Sequence, residues 1–389
     1  MTAQDHRKAS RWLCWLLVVI SGNPAVSVLG AESLFVVALA VFFFAWSRRL
    51  VPLPRRYVLI VFAVVSAIHV VVFGMVVAAA SVGFLIKLGI GALAAVTIPE
   101  FTDDFSAVMA TVAAFSLVFY IPTQLGIDVQ GMLSPLQLPV GESTASIGIY
   151  TFRAPLEPRN CGMFWEPGAF AGYLVLALLL LSLRPQRSSA PKNRVLVIVA
   201  ALLTTQSSAG YLAFFLVALL HAVRTGALRK GSRKILLVLL LFGGYLAFTR
   251  IPFLGDKLEQ QWESTIVDED QLGRFGNILF DLEDISQRPL FGWSANPDIR
   301  TARDTDLADL ALGQGVGLTG FATRYGLVGL LLYLGLVVHV ARRLSGSIVL
   351  ALMGAAVVCA LLIGEQFLNF PVFLVIPFLA SDYVPERSP

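Results

Sequence analysis

Long apolar runs recur along this chain, broken by polar segments that hold most of its charges. Runs of ~18 or more apolar residues predict membrane-spanning helices. About twelve follow, near 12–29, 32–47, 57–79, 81–98, 105–126, 164–183, 194–206, 210–223, 235–249, 317–340, 347–363 and 367–380. Some are short, and only "QSSAG" joins 194–206 to 210–223. Spans of that length need burial in a bundle or local thinning of the bilayer. The first run follows Arg7, Lys8 and Arg11, and carries small residues, Ala25 and Ser27, where a signal peptidase would cut. An uncleaved span is the preferred reading, because the apolar run resumes at once and Pro24 need only kink it.

Two polar stretches are too long to be turns: 127–163 and 250–316. Loops of this length without structure are uncommon and often functional. The second holds 13 of the 25 acids. Within it, near 271–287, "GRFGNILFDLEDISQ" sets Phe275, Ile278, Leu279, Leu282 and Ile285 at helical spacing. That predicts an amphipathic helix lying on the bundle or the membrane surface. With the N-terminus inside, 19 of the 29 Lys and Arg fall on inside segments, and only "PEFTDD" lacks one. Basic residues favour the cytoplasmic side, so both termini are expected there and both long loops outside.

Composition agrees. The chain is 57% hydrophobic and 14% charged, with mean hydropathy +0.78, against about 25% charged for soluble domains. The expected fold class is therefore all-α, a polytopic integral membrane protein forming one membrane domain over 1–389. The net charge of +4 does not indicate nucleic acid, since the basic residues flank spans. Cys14, Cys161 and Cys359 match no metal or redox spacing.

Several motifs are outweighed by plainer readings. "GVGLTG" (315–320) fits GxGxxG but opens a membrane helix with no preceding strand, so its glycines suit close helix packing or approach of a substrate to the backbone. "DED" (268–270) and "DTD" (304–306) have metal-binding spacing but sit in an acidic loop, where solvated acids are the favoured reading. The histidines, His6, His69, His221 and His339, are scattered and indicate no metal site or His-based triad. Lys87 lies inside a span, where a charge is either functional or snorkels to the surface.

The arginines outside or near the outer face carry more weight: Arg153, Arg159, Arg250, Arg274, Arg288, Arg300, Arg303 and Arg324. Guanidinium groups bind phosphate bidentately and stay charged. As a set they suit an anion site; singly, each suits a salt bridge to a loop acid. Glu166, between Trp165 and Pro167, is either a base for a sugar hydroxyl or the partner of Arg159. Trp165, Trp262 and Trp293 suit stacking on sugars or anchoring at the interface.

Four segments together resemble the O-antigen polymerase and O-antigen ligase superfamily. They are "RNCGMFWEPGAFAGYL", "LLTTQSSAGYLAF", "GRFGNILFDLEDISQRPLFGWSA" and "TRYGLVGLLLYL", in order over roughly 100–380. The resemblance implies a glycosyltransferase bundle of the bacterial inner membrane with two periplasmic loops. Its donor would be an undecaprenyl-diphosphate-linked oligosaccharide, with no cofactor and no metal; a chain-length regulator is a candidate partner. Ligases of the family carry a histidine ahead of the Gly-x-x-Gly of the closing span; here Gly315 and Val316 stand in its place. Where ligases often have Ser-Arg-Gly, this chain has Ser208, Ala209 and Gly210. Both departures favour a repeat-unit polymerase, of O-antigen or exopolysaccharide, over a ligase. The roles expected on that basis are catalytic for Glu166, Arg159 and Arg324, and substrate-binding for Arg153, Arg274, Arg288, Trp165 and Trp293.

Overall fold

The computed structural model describes residues 3–49, 51–141, 144–153, 159–184, 191–226, 274–296, 298–301 and 316–379. The expected span 235–249 lies outside these residues, as do Arg250, Trp262, Arg303 and both acidic triplets.

The chain is mostly helical. It begins with α1 (Ala3–Gly22), a short α2 (Ala25–Val28), α3 (Ala31–Ser47), α4 (Tyr57–Phe73), α5 (Ala78–Thr97) and α6 (Phe101–Gln124). One turn, α7 (Val129–Met132), leads into strands β1 (Leu138–Gly141), β2 (Thr144–Ser146) and β3 (Thr151–Arg153). There follow α8 (Pro167–Leu183), α9 (Lys192–Thr204), α10 (Ser208–Arg224), α11 (Arg274–Gln287) and α12 (Asp298–Thr301). The last elements are α13 (Gly317–Ser345), α14 (Ile348–Gly364) and α15 (Pro371–Val375). Among the described residues, three helical segments, Met75–Thr97, Phe101–Gln124 and Gly317–Ser345, are long and apolar enough to cross a membrane, and five shorter apolar helices accompany them.

Two expectations need correction. First, 127–163 is not all helix and loop: β1, β2 and β3 form a small antiparallel sheet in that order. The sheet docks on the approach to α8, where the Thr151 N–H donates to the Gly162 carbonyl at 2.7 Å. Second, 367–380 is not one continuous helix. It is α15 between two 3-10 turns, Phe367–Asn369 and Ile376–Phe378. Pro371 and Pro377 lack the N–H that a continuous helix needs. The segment is apolar because it is buried, with Val372, Phe373, Leu374, Val375 and Phe378 almost wholly enclosed. A Cβ on Gly91 would come within 2.8 Å of the Leu374 carbonyl, so glycine lets this irregular backbone lie against α5.

Polar contacts define the two ends of the bundle. At one end Asp104 of α6 accepts from Ser10 of α1 at 2.6 Å, and Asp103 pairs with Arg184 after α8 and Arg194 of α9. At the other, Asn160 donates to Ser116 of α6 at 3.0 Å and to Thr204 of α9 at 2.8 Å. The first is called the α1 end below, the second the loop end.

Near the loop end α13 is broken. Gly326 has φ 70° and ψ 178°, a conformation reserved for glycine. A break leaves carbonyls and N–H groups without helical partners, at a cost of roughly 2–7 kcal/mol for each one buried away from water. The turn after α11 takes them up. Trp293 N–H donates to Thr323 at 2.8 Å and Ser294 N–H to the Arg324 carbonyl at 3.1 Å. In return Leu327 N–H donates to Pro289 at 2.7 Å and Val328 N–H to Leu290 at 3.3 Å. From the far side His69 Nε2 donates to the Phe291 carbonyl at 2.7 Å. A side chain on Gly326 would overlap the Leu290 carbonyl, and one on Gly292 (φ 73°) the Thr323 carbonyl. Gly326→Ala should therefore lower thermal stability in detergent by more than about 3 kcal/mol, from backbone strain and overlap together. Gly335, in the same helix with open space at its Cβ, is the control; Gly335→Ala should leave the melting point unchanged or slightly raised.

Candidate functional site

The approach to α8 is built residue by residue at the loop end. Arg159 donates from Nε to the Thr205 carbonyl at 3.1 Å and from Nη2 to the Gln206 carbonyl at 2.7 Å. The guanidinium thereby covers the C-terminal end of α9, where carbonyls lack helical partners. Among the described residues it forms no ion pair with Glu166, so the plain salt-bridge reading of that pair does not hold. Asn160 Oδ1 accepts from Gly162 N–H at 2.9 Å and tightens the turn. Cys161 beneath it is fully buried, and burial pushes its thiol up to about 12. Arg153, exposed at the end of β3, and Arg159 and Glu166 all lie close enough to act on that thiol electrostatically.

Glu166 is the N-cap of α8, extended, with Pro167 in the first helical position. Its side chain makes no capping hydrogen bond. A Cβ on Gly168 would stand 2.9 Å from Glu365 Oε1 and 3.8 Å from Glu166 Oε1. Two carboxylates from distant parts of the chain therefore face the first turn of α8, where the helix dipole favours negative charge.

Glu365 belongs to the turn that holds Arg324. Arg324 Nη1 donates to Asn369 Oδ1 and Nη2 to Gln366 Oε1, both at 2.6 Å, and Asn369 Nδ2 donates to Gln366 Oε1 at 2.9 Å. Phe370, next along, stacks on Trp165 with centroids 4.7 Å apart. The 365–370 turn thus joins Trp165 and Glu166 on one side to Arg324 on the other. Gly317 at the start of α13 has no room for a side chain against the Glu365 carbonyl, which agrees with the packing reading of "GVGLTG".

Lys87 reaches the same region from α5. Phe84, one turn before it, packs on Tyr325 with centroids 4.3 Å apart, and Gly91, one turn after it, lies on Leu374. Positions i, i+3 and i+7 share a helix face, so Lys87 sits between α13 and the 365–375 segment. Its ammonium lies 4.9 Å from the Phe35 ring; Arg324 opposes its charge and Glu32 acts in its favour, as Asp281 does for Arg324. Among the described residues neither cation is in a salt bridge.

The remaining expected residues stand apart. Arg288 lies over the rings of Phe73 and Trp293, at 4.7 Å and 4.5 Å. Trp293 is buried, its Nε1 donating to the Asp284 carbonyl at 3.0 Å, so its ring is part of the packing rather than an open platform. Arg274 is the first residue of α11, and its side chain is outside the described residues.

The helix α11 forms as expected, but its orientation was not foreseen. Asn277, Asp281 and Asp284 are buried, while Leu279 and Leu282 are 62% and 50% exposed. Arg300 explains this: it pairs with Asp281 at 2.6 Å and with Asp284, and Thr319 of α13 donates to Asp281. Burial still pushes the Asp281 carboxyl above its usual range, against the pull of Arg300. Of the histidines, His69 sits at the loop end beside Tyr325.

Sequence reasoning missed Glu365, Gln366 and Asn369. Their one signal was a polar "EQ" and "N" inside an apolar run near the C-terminus. For Cys161, maleimide at pH 7.5 should leave the thiol unmodified in the folded protein and label it after denaturation in SDS. Equal labelling rates in the two states would contradict the buried position.

A scan against protein-family models and a search of curated proteins found no match.

Proposed function

We propose that the chain is a polysaccharide repeat-unit polymerase of the bacterial inner membrane. It transfers a glycan from undecaprenyl diphosphate to a hydroxyl of the next lipid-linked unit. The observation that carries this reading is Arg324, a cation within the bundle whose hydrogen bonds go to neutral amides, with the cationic Lys87 nearby. Two such charges at membrane depth are costly unless an anion meets them. A lipid diphosphate is an anion that arrives at that depth. The termini lie in the cytoplasm and the loop end faces outward, as the distribution of Lys and Arg supports.

In the proposed step the acceptor oxygen bonds to the anomeric carbon and the bond from that carbon to the diphosphate breaks. The hydroxyl proton passes to Glu166, at the mouth of α8. The diphosphate keeps the bonding electrons, and Arg324 and Lys87 stabilise its charge. Arg153, exposed at the end of β3, meets a second anionic or sugar group in this reading. Arg159 acts as a positioning residue, because its donors hold the α9–α10 turn.

The broken α13 and the broken 367–379 segment also suit a transporter of lipid-linked sugars, in which interrupted helices line the binding site. The cell distinguishes the two. In a deletion strain, single lipid-linked units should accumulate at the outer face if the chain is a polymerase, and at the inner face if it is a transporter. Arg324→Ala should cut polymer formation by roughly 100-fold or more at normal protein level. Arg324→Lys should restore little, since an ammonium cannot span Gln366, Asn369 and a phosphate with one planar fork. Full-length polymer from Arg324→Ala would remove Arg324 from the reaction.

A further inference from the structure

The α1 end carries a cavity that the proposed reaction does not use. Its volume is about 600 Å³, and among the described residues it is lined by Arg7, Lys8, Arg11, Trp12 and Trp15. These five fall on one face of α1, at i, i+1, i+4, i+5 and i+8. We propose that this cavity binds the headgroup of an anionic phospholipid.

The charges there are not used up by neighbours. Arg7 meets Glu100 at 3.6 Å and Arg11 meets Asp104 at 3.7 Å, both beyond hydrogen-bond distance. The Arg7–Glu100 pair is more than half exposed on both sides, where such pairs contribute little. Asp104 already accepts from Ser10 at 2.6 Å through its other oxygen. Lys8 has no ion-pair partner among the described residues. Three cations therefore line one cavity with donors to spare, which suits a phosphate.

The aromatic residues decide between a soluble anion and a lipid. Trp12 is 74% exposed and Trp15 half-buried against the core, directly below the cations and at the start of the apolar part of α1. Tryptophan beside a basic cluster marks the headgroup level of a bilayer, where basic residues are attracted to an anionic surface. A soluble phosphate has no use for an exposed indole; a lipid lays its glycerol and upper acyl chains on it. A cavity of this size falls within the usual range for small-ligand sites. The proposal does not depend on the chemistry at the loop end.

The test is thermal stability of the purified full-length protein in a neutral detergent, with phosphatidylglycerol, phosphatidylcholine or inorganic phosphate added. Phosphatidylglycerol should raise the melting temperature of the wild type, and the other two should not. Arg7→Gln/Lys8→Gln, which leaves Arg11 on buried Asp104, should abolish most of that rise without lowering the starting melting temperature. Trp12→Ala should weaken it and keep the preference for the anionic lipid. An equal rise from inorganic phosphate would make this a soluble-anion site and overturn the proposal. So would equal rises from the two lipids, or a full phosphatidylglycerol effect in the double variant. Native mass spectrometry, counting bound phosphatidylglycerol on wild type and double variant, settles the matter if the variant proves unstable.

Discussion

The arrangement at the loop end depends on an exchange of backbone hydrogen bonds across the break in α13. Gly326 interrupts the helix, and the 289–294 turn supplies the missing donors and acceptors from outside it. Inside a bilayer such a break is stable only when every freed group finds a partner. The exchange also aims Arg324, whose carbonyl is tied to Ser294 while its guanidinium reaches the 366–369 turn. Two segments that looked like separate motifs, "RPLFGWS" and "TRYGLVG", are one structural joint.

Electrostatics divides the molecule in two. At the α1 end the acids of "PEFTDD" meet arginines from α1, α8 and α9. Within that segment Asp103 offsets Arg184 and, less closely, Arg194, whereas Glu100 and Asp104 stand farther from Arg7 and Arg11 than Asp103 does from Arg184. At the loop end the pattern differs. Arg300 is matched by Asp281 and Asp284, whereas Arg324 rests on amides. Asp281 is near enough to act on Arg324 electrostatically, but its ion pair is with Arg300.

The amphipathic helix α11 shows where pattern reading stops. Its periodicity was legible, and so was its span. Which face it buries was not, because a hydrophobic stripe seeks any apolar surroundings, and next to a bilayer the outside is apolar too. Arg300 decides the matter by offering the acidic face a partner. The same limit applies to 367–380, where an apolar run reads as a span although Pro371 and Pro377 forbid one continuous helix. Of the candidate site, Arg159, Glu166, Trp165 and Arg324 were legible as charges and aromatics in improbable places. The turn that connects them was not, since Glu365, Gln366 and Asn369 are close to them only in space.

Hydropathy and charge bias by themselves determined that this is a helical protein suited to a membrane, where most of the described apolar helices lie, and which polar residues are expensive enough to need a reason. Those properties follow from local composition, which the solvent reads one segment at a time. Tertiary structure alone decided which charges are matched. Arg159 is directed to the end of α9 rather than to Glu166, and Arg324 to the neutral amides of the 366–369 turn. Partner choice depends on distances of a few ångströms between residues far apart in the chain, and no local pattern encodes those.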